Sequence, residues 1–322
     1  INNIIFAYEP RWAIGTGRIP KSSELRKNFK DINNIINKLK KNQKYKIIYG
    51  GSVNSKNVLD LKKINDLSEA EFSIFSQWGD DGIIQYLINY LDIENNTFVE
   101  FGVEDYLESN TRFLLMNNNW SGLIIDGSED HISNIKKNEL FWKYDLIARA
   151  SFITAENINE LIENENIKGQ IGLLHIDIDG NDYWIWKALE VVEPIIMVVE
   201  YNSVFGCERA ITIPYDAHFI RTKAHYSNLY AGTSLLSLCD LATEKGYVFI
   251  GSNSAGNNAY FVKKEFAKAL KPLTAIEGFV NSKFRESRNK TGCLNYLRAD
   301  QRLTEIKGLP IFNTRTKKTE DL

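Results

Sequence analysis

Two short apolar runs of this chain end in an acidic residue beside glycine, a combination that can bind a nucleotide. In residues 97–102 (TFVEFG), Glu100 precedes Gly102 by two positions, and residues 121–126 (SGLIID) end on Asp126. Apolar runs of this length predict buried strands, and the distance between them fits a strand–helix–strand unit. In a doubly wound sheet, the first strand–helix turn lets a nucleotide-like ligand approach the backbone, and the acid that closes the second strand accepts hydrogen bonds from ribose. The candidate cofactor-binding residues of this unit are Glu100, Gly102, Asp126, Gly127 and Ser128.

A second group of carboxylates follows two later apolar runs. Asp177 and Asp179 are two residues apart at the end of one predicted strand, so they share a face, and Glu200 and Asn202 close the next strand. Because ligands of open α/β sheets bind at the carboxyl ends of the strands, we expect the four side chains to converge. They are candidates to orient a substrate hydroxyl or to hold Mg²⁺ or Ca²⁺, which prefer oxygen ligands. The alternative is a solvated strand end that caps the following helix.

Histidines and a basic tail supply the remaining candidates. His218 and His225 lie in the polar segment after residue 200, and each is a candidate general base for a hydroxyl proton, with a surface position as the alternative. His175 is expected deeper, as a hydrogen-bonded core residue. Residues 283–318 contain more basic than acidic residues. This pattern favours a solvated surface layer, with contact to an anionic substrate as the alternative.

From residue 67 onward, strand patterns alternate with helical patterns. This alternation predicts a Rossmann-like, doubly wound, mostly parallel α/β sheet, and a final hairpin adds an antiparallel edge. Ser68, with Glu71 three residues later, marks a helix start and the beginning of a new domain. We therefore predict domains at residues 1–66 and 67–275, and a C-terminal extension, 276–322, packed on the second. The predicted strands are 97–101, 122–126, 146–153, 171–179 and 194–200, and the hairpin comprises 247–251 and 258–263.

The first domain resembles triosephosphate isomerase. Residues 4–17 (IIFAYEPRWAIGTG) are similar to its sixth strand and mobile loop, and residues 46–54 (KIIYGGSVN) to its seventh strand and phosphate loop. The resemblance implies a partial (β/α)-barrel fragment in which Glu9 is the proton-abstracting base and Gly15 and Ser52 contact phosphate. That family also needs a lysine and a neutral histidine from its early strands, which are absent here, and its barrel closes only with all eight strands. We expect no isomerase activity and interpret the segment as a relic, a gene fusion or an assembly join.

The second domain resembles the FkbM-type class I methyltransferases, which use S-adenosylmethionine (SAM). Residues 75–82 (FSQWGDDG) are similar to their Ser-Gln-x-Gly-Glu-Asp-Gly motif, and residues 98–103, 120–128 and 175–182 to their first SAM motif, second strand and strand-four motif. This resemblance implies that Gln77 and Asp81 also contact SAM. One departure is that Glu104 and Tyr106 replace the second and third glycines of the family's Gly-x-Gly-x-Gly run. Their side chains must enter space where the cofactor normally lies against backbone, unless the loop takes another path.

Composition argues against several classes of protein. The formal net charge of -2 argues against a nucleic-acid binder, which usually carries a basic excess. No apolar run reaches the roughly 18 residues that span a bilayer, and the first residues lack the features of a signal peptide. Three widely spaced cysteines argue against a disulfide framework or a zinc site and favour a reducing cytoplasm; they are Cys207, Cys239 and Cys293.

Together these patterns predict a cytoplasmic, SAM-dependent methyltransferase that acts on a hydroxyl group. The resemblance to the FkbM-type family implies that the acceptor is a sugar or another polar cell-surface precursor. Such a transfer needs alignment of donor and acceptor and a weak base for the hydroxyl proton. Two alternatives stay open. One is isomerase activity from the first segment. The other is a non-catalytic nucleotide-binding or interaction domain, which the altered glycine run suggests.

Overall fold

The computed structural model describes residues 4–13, 16, 20, 22–39, 45–49, 64, 66–267 and 270–322. The chain divides into two compact units, Ile1–Asn65 and Asp66–Leu322. Among the described residues, no helix combines the length and apolarity that crossing a bilayer requires.

The first unit contains a parallel strand pair and one helix. Strand β1 (Ile4–Tyr8) pairs in parallel with β2 (Tyr45–Tyr49), and helix α1 (Ser22–Leu39) lies between them in the chain. Within the unit, Asn28 of α1 donates a 2.7 Å hydrogen bond to the Tyr8 hydroxyl. One parallel pair with a connecting helix is common to barrels and open sheets, so the barrel fragment stays a prediction.

The second unit is built on a seven-stranded sheet, and the predicted α/β fold is confirmed. Numbered within this sheet, the strands lie in the order 3-2-1-4-5-7-6, and only the seventh is antiparallel to its neighbours. This is the strand order of class I methyltransferases. The strands are β3 (Thr97–Phe101), β4 (Ser121–Asp126), β5 (Leu146–Ala150), β6 (Gly169–Ile176), β7 (Val192–Glu200), β9 (Tyr247–Ser252) and β10 (Asn258–Lys263).

Helices cover both faces of this sheet, and its central strands are buried on both sides, as the apolar runs predict. On one face Trp186 is 1% exposed, with its ring centroid 5.0 Å from that of Phe261. Polar side chains begin several of the helices: Ser234, for example, accepts a hydrogen bond from the backbone of Ser237. In chain order, the helices are α2 (Asp80–Tyr90), α3 (Arg112–Asn117), α4 (Glu129–Lys137), α5 (Glu139–Lys143), α6 (Ile158–Glu163), α7 (Asp182–Ala188), α8 (Arg221–Ala224), α9 (Leu235–Glu244), α10 (Ala275–Gly278) and α11 (Asp300–Glu305).

Strand β6 ends earlier than predicted, at Ile176 rather than residue 179. The Asp182 carboxylate accepts hydrogen bonds from the backbone of Ile178 (2.9 Å) and Gly180 (3.0 Å). These bonds offer the backbone an alternative to the sheet ladder and turn the chain into α7. Asp179 consequently has φ +56°, so Asp177 and Asp179 belong to a turn and do not follow strand alternation.

The C-terminal segment joins a second, three-stranded sheet. Strand β11 (Pro310–Asn313) pairs with β12 (Lys318–Asp321) and with the short strand β8 (Ile211–Thr212), which follows β7 in the chain. This pairing brings α11 beside the segment that follows β7. An apolar cluster supports the sheet and contains Phe205, Ile211, Ile213, Leu229, Tyr230, Ile306 and Ile311.

Candidate active site

A cavity of about 530 Å³ lies at the carboxyl ends of β3, β4, β6 and β7. This volume falls within the roughly 300–1,000 Å³ of ordinary small-molecule sites. Its location is the one expected for ligands of an open α/β sheet. Most of the predicted site residues line it, namely Gln77, Glu100, Gly102, Asp126, Gly127, Asp177, Asp179, Glu200 and Asn202.

The loop after β3 passes very close to neighbouring backbone. Gly102 has φ +71°, and a Cβ atom there would lie 1.7 Å from the carbonyl oxygen of Asp177. Glu104 and Tyr106 also have positive φ, 47° and 61°. The two residues that replace glycines therefore keep the left-handed backbone that glycine favours, at a cost of roughly 1–2 kcal/mol each. Backbone strain of this kind concentrates at functional sites.

Neither replacement fills the cavity with an apolar side chain. Tyr106 is 2% exposed and turns inward, with its hydroxyl 3.0 Å from the hydroxyl of Thr111. Glu104 lies exposed at the rim, and its backbone N–H donates a 2.8 Å hydrogen bond to Oδ2 of Asp126. The loop thus keeps the path that leaves backbone facing the cavity.

Asp126 ends β4 and connects the loop after β3 to the start of α4. Besides accepting from Glu104, it accepts a 2.8 Å hydrogen bond from the Ser128 backbone, and Nδ1 of His131 lies 3.2 Å from Oδ1. A carboxylate offers about four lone-pair sites, so one acceptor position is left for a ribose hydroxyl. Ser128 lies outside the cavity lining. Its hydroxyl accepts a hydrogen bond from the backbone N–H of His131 and thereby caps the start of α4.

Glu100 and His175 form a buried ion pair in the cavity wall. Nδ1 of His175 lies 3.0 Å from Oε1 of Glu100, and the carboxylate also accepts from the Ser109 hydroxyl and the Asn110 backbone at 2.6 and 2.9 Å. Burial opposes the charge of Glu100, but His175 and these donors outweigh it and lower its pKa. Burial likewise opposes the charge of His175, yet Glu100 raises its pKa. Glu100 therefore positions residues 109–111, and His175 is the core residue that its place in the strand indicates.

Asp80 and Asp81 begin α2 and have different roles. Asp81, the predicted SAM contact, does not line the cavity. Asp81 is 1% exposed, and its carboxylate accepts three backbone hydrogen bonds from residues 74–76 at 2.7–3.0 Å. Those bonds shape the turn before α2 and leave Asp81 outside the cavity lining. Asp80 lines the cavity instead. Burial raises the pKa of Asp80, although the Tyr260 hydroxyl hydrogen-bonds to it.

Three carboxylates converge on the opposite side of the cavity. Asp177, Asp179 and Glu200 can each bring one oxygen within 4.8 Å of the others. Burial and the charge of Asp179 raise the pKa of Asp177 to about 6, and burial and Asp177 raise the pKa of Glu200. Asp182, behind them, has its pKa raised to about 7 by burial and the charge of Asp177. The group therefore holds protons that isolated carboxylates would lose at the same pH.

The oxygen atoms of this trio suit a hard cation by type, but their other contacts fit one poorly. Asp179 forms an ion pair with Arg221. Asn202, the fourth predicted ligand, donates both amide hydrogens to the carbonyl groups of Leu229 and Ala231 and accepts from Val204. We therefore derive no step through a metal ion.

The two predicted histidine bases lie outside the cavity lining. His218 is exposed, and Nδ1 of His225 lies 2.7 Å from the Ser227 hydroxyl, with its ring against Tyr226. The chain after β7 turns away to form β8, and this turn separates both histidines from the strand ends. Position in the sequence alone did not contain that information.

Sequence reasoning missed the two arginines that line the cavity. Arg221 on α8 binds Asp179 and donates through Nε to the Asn228 carbonyl at 2.9 Å. Arg302 on α11 also lines the cavity. The excess of basic residues in 283–318 was the only signal for Arg302, and it does not distinguish one arginine from another.

In the first unit, Glu9 directly follows β1 and is exposed. Gly15 and Ser52, the phosphate contacts implied by resemblance, lie outside the described residues.

Comparison with known proteins separates the two units. The triosephosphate isomerase family profile matches residues 1–68. Triosephosphate isomerase from Malacoplasma penetrans is 36% identical over 73 residues, which are 22% of this chain and 29% of that protein. The Buchnera aphidicola enzyme is 41% identical over 68 residues, 20% of this chain and 27% of that protein. The chain thus spans less than a third of the length of these relatives.

Solved structures similar to the chain include methyltransferases. A SAM-dependent methyltransferase from Clostridium acetobutylicum is 9% identical and covers 73% of this chain and 98% of its own, with a TM-score of 0.38. An O-methyltransferase from Bacillus cereus, in complex with S-adenosylhomocysteine (SAH), is 15% identical and covers 72% and 97%, with a TM-score of 0.35. Scores at this level carry no argument about the function of this chain.

Proposed function

We propose that residues 66–322 bind SAM and transfer its methyl group to a hydroxyl group of a sugar or another polar acceptor, as FkbM-type methyltransferases do. The observation that carries this proposal is the convergence of Gly102 and Asp126 on one cavity, in a sheet ordered 3-2-1-4-5-7-6. Gly102 lets the loop after β3 pass against the Asp177 backbone at the edge of the cavity, and the acid offers an acceptor for ribose.

The residues across the cavity support the acceptor half of the reaction. When bound, SAM supplies an electrophilic methyl group on a sulfonium. The acceptor oxygen forms the new C–O bond as the S–C bond breaks, and the hydroxyl proton passes to a carboxylate, giving a methyl ether and SAH. Asp177, with a pKa of about 6, is ionised at neutral pH and still basic enough to take that proton. Asp179, held by Arg221, can orient the hydroxyl.

We propose no isomerase activity for residues 1–65. All four histidines of the chain lie in the second unit, at His131, His175, His218 and His225. The neutral histidine that polarises the substrate carbonyl in isomerases of that family therefore has no counterpart in this segment.

Calorimetric titration of the full chain with SAM and with SAH tests the proposal, and Asp126→Asn sharpens it. Asparagine is chosen over alanine because one oxygen must still accept from the backbone of Glu104. Loss of a charge-assisted hydrogen bond worth roughly 1.5–3 kcal/mol should weaken SAM binding about tenfold or more. Asp130→Asn, an exposed change on α4, is the matched control and should bind like the wild type.

Absence of SAM and SAH binding by the wild type would refute the proposed function. Equal affinity in Asp126→Asn and the wild type would remove Asp126 from the cofactor site. Binding without methyl transfer to any saccharide acceptor would favour the non-catalytic nucleotide-binding domain.

A further inference from the structure

Arg302 stands out in the cavity because its charge is not compensated. The structure shows no ion pair or side-chain hydrogen bond from Arg302 to any residue it describes, and its buried Nε atom has no hydrogen-bond acceptor. Burial and the nearby charge of Arg221 both act to lower the pKa of Arg302. Burial of Nε without an acceptor costs free energy, and an anion bound at this half-buried guanidinium would recover part of it.

Arg221 lies near Arg302 and, having the same charge, cannot be its counter-ion. Its charge is matched by Asp179, and its guanidinium carbon lies 6.0 Å from the centre of the Phe284 ring. Glu286, the next acid along the cavity wall, already accepts hydrogen bonds from Arg288 and Asn228. The acids near this side of the cavity are therefore committed elsewhere, and Arg302 is left with its charge unmatched.

The position of Arg302 separates it from the proposed cofactor end. Helix α11 packs against the turn Ser203–Phe205, which follows β7, whereas Asp126 ends β4. Three strand spacings of roughly 4.8 Å separate β4 from β7, about 14 Å in all. The intervening carboxylates, Asp177 and Glu200, mark the place proposed for the reacting hydroxyl.

We infer that Arg302, with Arg221 beside it, forms an anion-binding subsite for a phosphate or carboxylate group on the methyl acceptor. The acceptor class is then a phosphorylated or acidic saccharide rather than a neutral one. This inference depends on the proposed function for its account of the acceptor. The planar guanidinium fork matches either anion through paired hydrogen bonds.

The test is calorimetric titration of the SAH-saturated full chain with three probes: glucose 6-phosphate, glucuronate and glucose. We expect the two anions to bind at least about tenfold more tightly than glucose, and to bind more weakly as salt is raised. Whichever anion binds more tightly identifies phosphate or carboxylate as the natural group. Arg302→Gln should lose at least about tenfold in affinity for that anion, with SAH affinity unchanged.

Two further variants keep the test decisive. Arg298→Gln removes an exposed arginine from the same segment and should leave anion affinity unchanged. Arg302→Lys keeps the charge without the paired donors and should bind the anion with intermediate affinity, which covers the case in which the glutamine variant fails to fold.

Several results would overturn the inference. One is that glucose binds as tightly as both anions. Another is that Arg302→Gln or Arg302→Lys binds the anion with wild-type affinity. A third is that Arg298→Gln loses as much anion affinity as Arg302→Gln. An equal loss of SAH affinity in Arg302→Gln would assign the arginine to the cofactor carboxylate instead. Failure of the wild type to bind SAH at all would count against the proposed function, whereas SAH binding without anion binding would count only against this subsite.

Discussion

Residues 1–68 match the triosephosphate isomerase family profile, whereas the second unit is built on a seven-stranded sheet with a cavity at the carboxyl ends of its strands. Yet the first unit contains no histidine, and the second brings side chains from Gln77 to Arg302 to one cavity. Sequence identity follows short contiguous motifs and says little about whether a site is complete. A site assembled from strand ends depends instead on sheet order, which tolerates extensive change in sequence.

The largest effect is expected from a substitution in the loop after β3. Gly102→Ala adds a Cβ 1.7 Å from the Asp177 carbonyl oxygen, on a backbone with φ +71°. A left-handed alanine costs roughly 1–2 kcal/mol and forced overpacking roughly 1–3 kcal/mol. We therefore expect the unfolding free energy to fall by about 3 kcal/mol and SAM binding to be lost. Denaturant unfolding and calorimetry measure the two effects.

Gly169→Ala is the matched control for that substitution. Gly169 has φ +69°, but nothing lies within 4 Å of the added Cβ, so only the backbone cost of roughly 1–2 kcal/mol remains. Equal destabilisation by the two alanines would show that the close approach at Gly102 has no energetic weight.

A pH-dependent effect of at most the same size should come from Asp177. Its pKa is higher in the folded chain, about 6, than the ordinary value of 3.8. Its stabilising contribution is therefore complete below about pH 4 and is lost as pH rises through 6. Relative to Asp177→Asn, the wild type should lose up to about 3 kcal/mol of unfolding free energy between pH 4 and 7.

Denaturant titrations at several pH values, with the exposed Asp145→Asn as control, measure this difference. A stability difference between Asp177→Asn and the wild type that stays constant from pH 4 to 7 would show that the carboxylates do not interact as described.

The smallest effect is expected from removal of the first unit. Two apolar clusters of the second unit are formed entirely by residues between 99 and 322, so we expect the fragment 66–322 to retain its own core. Its unfolding free energy should lie within about 0.5 kcal/mol of that of the same unit in the full chain, and its SAH affinity should be unchanged. A fragment that unfolds without cooperativity, or no longer binds SAH, would contradict the division of the chain into independent units.

Much of the second unit could be predicted from periodicity and turn residues. The predicted bounds of β3 agree with the structure to the residue, because an apolar run bounded by turn residues is a local signal. The end of β6 was placed too late, since the Asp182 carboxylate that closes the turn competes with the sheet ladder. The pairing of β8 with β11 was missed because it joins segments about a hundred residues apart.

The residues of the candidate site also differ in whether local sequence information could identify them. Gly102 and Asp126 were identifiable because each stands at the end of its own strand. The choice between Asp80 and Asp81 was not, because both begin α2 and only the fold decides which carboxylate binds backbone and which lines the cavity.

The sequence by itself determined the α/β class, the sequence order of the strands, and the positions where glycine and an acid meet a strand end. These follow from apolar periodicity and from the backbone freedom of single residues, which act over a few positions. Tertiary structure alone decided that Asp179 pairs with Arg221, that His218 and His225 lie outside the cavity lining, and that Arg302 lines it. Side chains far apart in the chain share an electrostatic environment only after the strands have paired, and no local pattern records which ones will.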